Sequence, residues 1–334
     1  MIIMHNKTPL RKICRAAIVP LSIALMLGSC NKNMDYFVPD SGQLAGADTN
    51  WVSNITATMP VAVLKNTLLL KPYTDSIDLQ KNDTLKNATG LRCAVLANSL
   101  LDSMGQIATG KAMIEMMILS KKGDFIRMDK PTMSDSIVLE SSDAINVSII
   151  KVGSYLKVAP TDKLSLQVYH PSFTTFNKLY FGDRNSNGEF NWLADIPGSS
   201  NEIVLDNFGY NVNTNRLNWM AASKPFESLV FTNITLSLPA QYTNANTTAY
   251  LVYNDSKSVV NLYANTDTKK FVGTRLPGGK AAAVVVLSKQ GNDYYAAFKP
   301  VTINGDIGSI VNQIVAVLPN KITLEAMQQL LNAL

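Results

Sequence analysis

Residues 91–171 read LRCAVLANSLLDSMGQIATGKAMIEMMILSKKGDFIRMDKPTMSDSIVLESSDAINVSIIKVGSYLKVAPTDKLSLQVYHP. Apolar runs of strand length are cut by turn chemistry at Asp102-Ser103-Met104-Gly105, Lys121-Lys122-Gly123-Asp124, Lys130-Pro131, Gly153-Ser154 and Pro160-Thr161-Asp162. Regular interruption of this kind marks consecutive antiparallel strands of a sandwich. Residues 91–96 predict a strand buried on both faces, with Cys93 as a small core residue rather than a nucleophile. Residues 111–119 are Met-rich, yet their length and turn-bounded ends predict a strand. Ile145, Val147 and Ile149 alternate with Asn146 and Ser148, and Leu164, Leu166 and Val168 alternate with Ser165 and Gln167. Period two gives each of these strands one wet face.

Upstream, residues 55–59 and 61–70 are strand-like, with Pro60 and Pro72 as interruptions or edges. The polar stretch 75–89 predicts a surface loop. The extreme N-terminus differs from everything after it. Lys7, Arg11, Lys12 and Arg15 form a basic region without acids, residues 16–27 are apolar, and Leu27-Gly28-Ser29-Cys30 follows. An apolar run of about a dozen residues is too short to span a bilayer, which takes roughly 20, and suits a signal segment. The word ending at Cys30 resembles a bacterial lipobox, which implies cleavage after residue 29, lipidation of Cys30 and membrane anchoring through that lipid. Asn31-Lys32-Asn33 lacks the aspartate that resembles an inner-membrane retention signal, so an outer-membrane lipoprotein is expected, with its facing open. Residues 30–50 read as a tether.

The net charge of +5 belongs to this segment: without its four basic residues, 26 basic face 25 acidic ones. A balance near neutrality argues against nucleic acid as a partner, which needs a concentrated basic face. A content of 46% hydrophobic and 16% charged residues is too apolar for disorder. Past the signal segment, Cys30 and Cys93 are the only cysteines, so no disulfide between free thiols is expected.

Downstream, residues 173–224 set Asn-rich loops around aromatic anchors and read as a connecting segment. Residues 231–239, 249–253, 259–263, 281–287 and 294–298 predict a second run of strands, with turns at Gly278-Gly279 and Gly291-Asn292-Asp293. Residues 310–318 fit helix or strand, and β-branched content favours strand. Thr323 suits a helix cap, Glu325 its first turn, and Leu324, Met327, Leu330, Leu331 and Leu334 one apolar face. The expected fold is all-β, with two antiparallel β-sandwich-like domains (51–172 and 225–334) joined by the connecting segment. A C-terminal amphipathic helix at about 323–333 packs back onto the core.

The order Gly105, Gly110, Glu115, Ser120-Lys121-Lys122-Gly123-Asp124-Phe125-Ile126, Lys130-Pro131-Thr132-Met133-Ser134, Leu139-Glu140-Ser141 and Lys157-Val158-Ala159-Pro160 resembles a module of exported lipoproteins of the Bacteroidetes. That module is itself similar to the β-sandwich of netrin receptors and ankyrins. The resemblance covers roughly residues 61–171 and implies a structural or binding module without shared chemistry. Ser142-Asp143 stands where the family often has a Gly pair, which implies a different hairpin there. Leu179-Tyr180-Phe181-Gly182, Phe190-Asn191-Trp192, Tyr210 and Leu217-Asn218-Trp219-Met220 resemble the linking segment of the same lipoproteins. Ala221-Ala222-Ser223 replaces an Asn-Cys-Asp-like word found there. Some eukaryotic relatives of the sandwich cleave themselves at a His-x-Ser word, so His170-Pro171-Ser172 implies self-cleavage before Ser172 as one alternative function.

Histidine is otherwise absent beyond the signal segment, so Ser-His-Asp, Cys-His and multi-histidine zinc sites are not expected, nor is any cofactor. Asp183-Arg184-Asn185-Ser186-Asn187-Gly188 resembles half a calcium loop, with ligands Asp183, Asn185 and Asn187, but Ala194 occupies the position of the bidentate acid. A plain hairpin explains the same residues. Asp75-Ser76-Ile77, Asp83-Thr84-Leu85, Asp102-Ser103-Met104 and Asp135-Ser136-Ile137 match an Asp-Ser/Thr-apolar word that resembles the O-glycosylation acceptor of Bacteroidetes exported proteins, and equally suit ordinary turns. Trp192, Trp219, Tyr210, Tyr180 and the Tyr294-Tyr295 pair are candidate sugar-stacking rings, though large aromatics more often fill sandwich interiors. The leading expectation is a lipid-anchored, non-enzymatic envelope module with a protein or glycan partner, and the first alternative is a carbohydrate-binding surface lipoprotein.

Overall fold

The alternation of Ile145, Val147 and Ile149 lies within a single strand of 15 residues, Ile137–Lys151, and the molecule is layered around it. A computed structural model describes residues 50–170, 178–185 and 188–334. The signal segment, Cys30 and the tether up to residue 49 therefore lie outside the described residues. Strands account for 54% and helices for 9%, so the protein is all-β. In chain order the first strands are β1 (Tyr73–Asp78), β2 (Asp83–Lys86), β3 (Arg92–Val95), β4 (Leu100–Leu101), β5 (Lys111–Leu119), β6 (Met133–Ser134), β7 (Ile137–Lys151), β8 (Ser154–Tyr155), β9 (Lys157–Val158) and β10 (Leu164–Tyr169). They continue with β11 (Lys178–Arg184), β12 (Phe190–Ala194), β13 (Glu202–Asp206), β14 (Gly209–Thr214) and β15 (Asn218–Pro225). The remainder are β16 (Phe231–Ser237), β17 (Thr247–Tyr253), β18 (Val259–Asn265), β19 (Lys270–Pro277), β20 (Lys280–Gln290), β21 (Asp293–Ile303), β22 (Ile310–Ala316) and β23 (Asn320–Ile322). The described residues also contain three short helices: α1 (Pro60–Leu68), α2 (Lys122–Arg127) and α3 (Leu324–Asn332).

One sheet runs β1-β5-β7-β15-β11-β12, with β6 and β8 attached to β7, and faces a five-stranded sheet ordered β13-β14-β10-β3-β2. Between them lies a core of Ile114, Val147, Leu166, Phe181, Val212 and their neighbours. The segment 173–224 thus supplies five strands, β11 to β15, to these two sheets. Its period-two pattern decides which way each side chain points. Leu179, Phe181, Met220 and Ala222 enter the core between the sheets, while Tyr180 and Ala221 enter a second core behind the first sheet.

That second core is shared with the C-terminal half. Tyr250, Val252, Val285 and Leu287 reach it from β17 and β20, and all three helices insert there. The C-terminal sheet runs β22-β16-β19-β18-β17-β20-β21-β23 and wraps a third core with its other face, where Ala249, Leu251, Val284 and Val286 lie. Two-sided burial explains why β17 and β20 read as nearly continuous apolar runs. Residues 310–316 form a strand, as their β-branched content predicts, but it pairs with β16 in parallel. Between β21 and β22 side chains rather than a backbone ladder make the connection: Gln313 donates to the Thr302 carbonyl at 3.0 Å and Lys299 to that of Ala316 at 2.6 Å.

Several local readings differ from the sequence expectation. Residues 55–59 form a turn and not a strand, and the strand within 91–96 is not buried on both faces: β3 buries Cys93 and Val95, while Arg92 and Leu96 are exposed. Residues 61–70 do not form a strand: Pro60 fits the first turn of a helix, and Val61, Leu64 and Leu68 fall on one buried helical face. Residues 75–89 are not a loop but contain β1 and β2, polar edge strands that each bury one side chain, Ile77 and Leu85. The turn at 121–124 opens α2, where the Asp124 carboxylate accepts the Ser120 and Lys121 backbone N–H groups at 3.1 and 3.0 Å. Ser142-Asp143 makes no hairpin, because β7 runs straight through it. The C-terminal helix forms as expected: Thr323 Oγ1 accepts the Ala326 N–H at 3.1 Å, and Met327 and Leu331 are fully buried.

Candidate functional site

Buried aromatic rings offer no face to a ligand, and this removes two of the three main aromatic candidates. Trp192 is 1% exposed and donates Nε1–H to the Pro131 carbonyl at 2.9 Å. Tyr210 is fully buried; burial, then the Asp143 charge, pushes its hydroxyl well above the usual tyrosine range. Tyr180 is buried too. Trp219 is half-buried, and the Lys130 ammonium lies 5.5 Å from its ring centroid and 4.1 Å from that of Phe190, so a cation already occupies this aromatic corner. Tyr294 and Tyr295 are half-buried, Tyr295 edge-on to Tyr242.

The calcium-like letters close a hairpin. Asn185 Oδ1 accepts the Glu189 N–H at 3.0 Å, its Nδ2 donates to the Glu189 carboxylate at 2.9 Å, and Asp183 accepts the N–H of Arg184. Asn187 lies outside the described residues. Among the described residues no three His, Cys, Asp or Glu side chains group as metal ligands. Ser76, Thr84, Ser103 and Ser136 are all exposed, although Ser76 and Thr84 stand on edge strands rather than in loops.

His170 has a partner that sequence reading missed. Asp143, 2% exposed, accepts from His170 Nδ1 at 2.5 Å and from Lys257 Nζ at 3.0 Å. The cluster joins β7, the end of β10 and the turn between β17 and β18. Pro171 and Ser172 lie outside the described residues.

Two exposed aromatic rings sit together elsewhere, at the outer face of the five-stranded sheet. Alternation along β10 buries Leu164, Leu166 and Val168 and turns Ser165, Gln167 and Tyr169 outward, with Tyr169 63% exposed. Phe208, equally exposed, projects from the turn between β13 and β14. These rings, Arg92 and Gln167 line a cleft of about 330 Å3 whose opposite wall is Lys86 and the 88–90 turn.

Both walls are held from behind. Asn87, 7% exposed, uses Oδ1 to accept the N–H groups of Thr89 and Leu91 and the Thr89 hydroxyl, at 3.1, 2.9 and 2.7 Å. Gly90 takes a left-handed φ of 90° to complete that turn. Opposite, the Asp206 carboxylate accepts Gln167 Nε2 at 2.8 Å, the Phe208 N–H at 2.8 Å and Asn211 Nδ2 at 3.1 Å. The bond from Gln167, and then that from Phe208, holds its pKa below the usual value. Gln167 is thereby oriented with Oε1 toward the Arg92 guanidinium, 3.4 Å away. Gly209 lets the turn approach β10: a Cβ there would lie 2.2 Å from the Val168 carbonyl oxygen.

Such an arrangement can stack a flat apolar face on Tyr169 or Phe208 and meet hydroxyl or anionic groups with amide and guanidinium donors. No protein-family model and no curated protein matches the chain. A solved structure described as γ-CGTase from alkalophilic Bacillus clarkii is similar over 74% of this chain and 42% of that one, at 10% identity and a TM-score of 0.18. The chain spans 42% of that enzyme's length, and a likeness this low carries no argument about fold or chemistry.

Proposed function

We propose that the protein is a lipid-anchored cell-envelope module that binds a ligand without transforming it. The observation that carries this reading is the cleft on the five-stranded sheet, with exposed aromatic rings beside donors that hydrogen bonds fix in place. The anchor rests on the basic and apolar residues before Leu27-Gly28-Ser29-Cys30, and outer-membrane placement on the residues that follow Cys30. Metabolic labelling with alkyne-palmitate tests the anchor: the full chain takes up label and sediments with outer membranes, and Cys30→Ala does neither. Label uptake by Cys30→Ala would sink the anchor. Screening the soluble Cys30→Ala protein against envelope glycans and extracts tests binding, and a Tyr169→Ala/Phe208→Ala variant that captures the same material as its parent would remove the cleft from the reading.

A further inference from the structure

We infer that the cleft between the 87–91 turn and the 206–209 turn binds a carboxylated sugar ring, a uronic acid residue of a glycan. The inference rests on the reading of this face as the binding surface and adds the class of ligand. Size comes first. At about 330 Å3 the cleft lies at the low end of the roughly 300–1,000 Å3 of ligand sites, room for one ring and not for a peptide segment with its side chains. Composition comes second: one wall is aromatic while the floor is an oriented amide and a guanidinium, which suits a ring with an apolar face and a polar rim.

Charge then selects among sugars. Lys86 and Arg92 are both exposed at the cleft, and neither belongs to an ion pair among the described residues. The nearby acid, Asp206, is turned to Gln167, Asn211 and the backbone of its own turn. Among the described residues the cleft therefore presents two cations outside any ion pair and no free carboxylate. A guanidinium fork matches a carboxylate in plane, and Arg92 is positioned to offer its outward N–H groups to one. A neutral sugar would make the stacking and amide contacts but bring no counter-charge to either cation.

Isothermal titration of the soluble Cys30→Ala protein with trigalacturonate and triguluronate, against galactotriose and mannotriose, tests the assignment. At least one acidic probe is expected to bind about tenfold or more tighter than either neutral one, with affinity falling as salt rises from about 50 to about 500 mM. Arg92→Gln combined with Lys86→Gln should abolish that preference, and Tyr169→Ala should weaken every probe that binds. All three side chains are exposed, so unchanged unfolding midpoints will certify the variants. Equal acidic and neutral binding, lost in Tyr169→Ala, refutes the acid assignment and leaves the binding module standing. Acidic binding that survives both sets of substitutions moves the site off the cleft and overturns the inference. No binding of any sugar also overturns it; self-association or protein capture that Tyr169→Ala abolishes would then give the same face to a protein partner.

Discussion

A buried carboxylate held between the Lys257 ammonium and the His170 ring makes Asp143 a residue whose loss should be strongly felt. Its oxygens face Lys257 at 3.0 Å and His170 at 2.5 Å with almost no solvent access. Asp143→Ala leaves the Lys257 ammonium uncompensated in a poorly hydrated site, and removing one partner of a buried pair costs about 3–5 kcal/mol. Urea unfolding should show that loss, and the double variant Asp143→Ala/Lys257→Met should recover part of it. A loss under about 1 kcal/mol would mean that water reaches the cluster. Cys93 makes the opposite case. Burial alone pushes its thiol up to about 12, so at pH 8 in a Cys14→Ser/Cys30→Ser protein it should stay unlabelled by a disulfide reagent until denaturant is added. Rapid labelling of the native state would contradict this. Cys93 as a core residue was legible because it sits in an apolar run. The cleft was only half legible: alternation through Gln167 implies that Tyr169 faces water, but Phe208 comes from a turn that no periodicity marks. Trp192 and Tyr210 took the interior places that large aromatics more often fill, since a ring with one polar atom buries well when that atom finds a partner.

At the scale of elements, the close approach of α2 to α3 hangs on Gly123. A Cβ there would lie 1.8 Å from the Leu331 carbonyl oxygen, which is backbone and cannot swing aside. Gly123→Ala should therefore part the two helices and disturb Phe125, Met327 and Leu331 in the second core. Burying side chains of this size contributes about 1.5–3 kcal/mol each, so a loss of several kcal/mol in urea unfolding is expected. Gly110→Ala is the control, since its Cβ would meet nothing within 4 Å and its cost comes from the left-handed φ of 77° alone, about 1–2 kcal/mol. Equal losses in the two variants would disprove the packing account. The strands with one wet face could be read directly from residues 145–149 and 164–168, because alternation is their cause. Residues 61–70 could not, since an apolar run satisfies either period and only the three-and-four spacing of Val61, Leu64 and Leu68 separates them. Polar β1 and β2 hid as a loop because an edge strand buries few side chains and displays charge for good reason.

Across the whole molecule the three cores are linked through shared sheets, and this sets how the chain should unfold. β7 sends Ile145 and Val147 into the first core, Leu139 and Ala144 into the second, and Val138 into the third. Met133 of β6 joins Val138 there, so the N-terminal half completes the core wrapped by the C-terminal sheet. At the start of the described chain Val52 exchanges hydrogen bonds with Asn244, at 2.9 and 2.6 Å, and Trp51 packs 5.2 Å from Phe271. The C-terminal layer thus receives the incoming chain, and the candidate cleft lies on the outermost sheet across the other two cores. Separating the halves near residue 225 would expose one apolar face of β5, β7, β11 and β15 and another of β17 and β20, surfaces that neither half can bury alone. Calorimetry of the Cys30→Ala protein should accordingly show one transition whose calorimetric and van't Hoff enthalpies agree. Trp192→Ala, which removes about 3–5 kcal/mol from the middle core, should lower that single midpoint without splitting it. Two resolved transitions, only one of them moved by Trp192→Ala, would show that the shared core does not couple the halves. The same comparison bears on the cleft: its sheet is clamped through the first core, so ligand binding there should raise the one midpoint and stabilise the C-terminal sheet along with it.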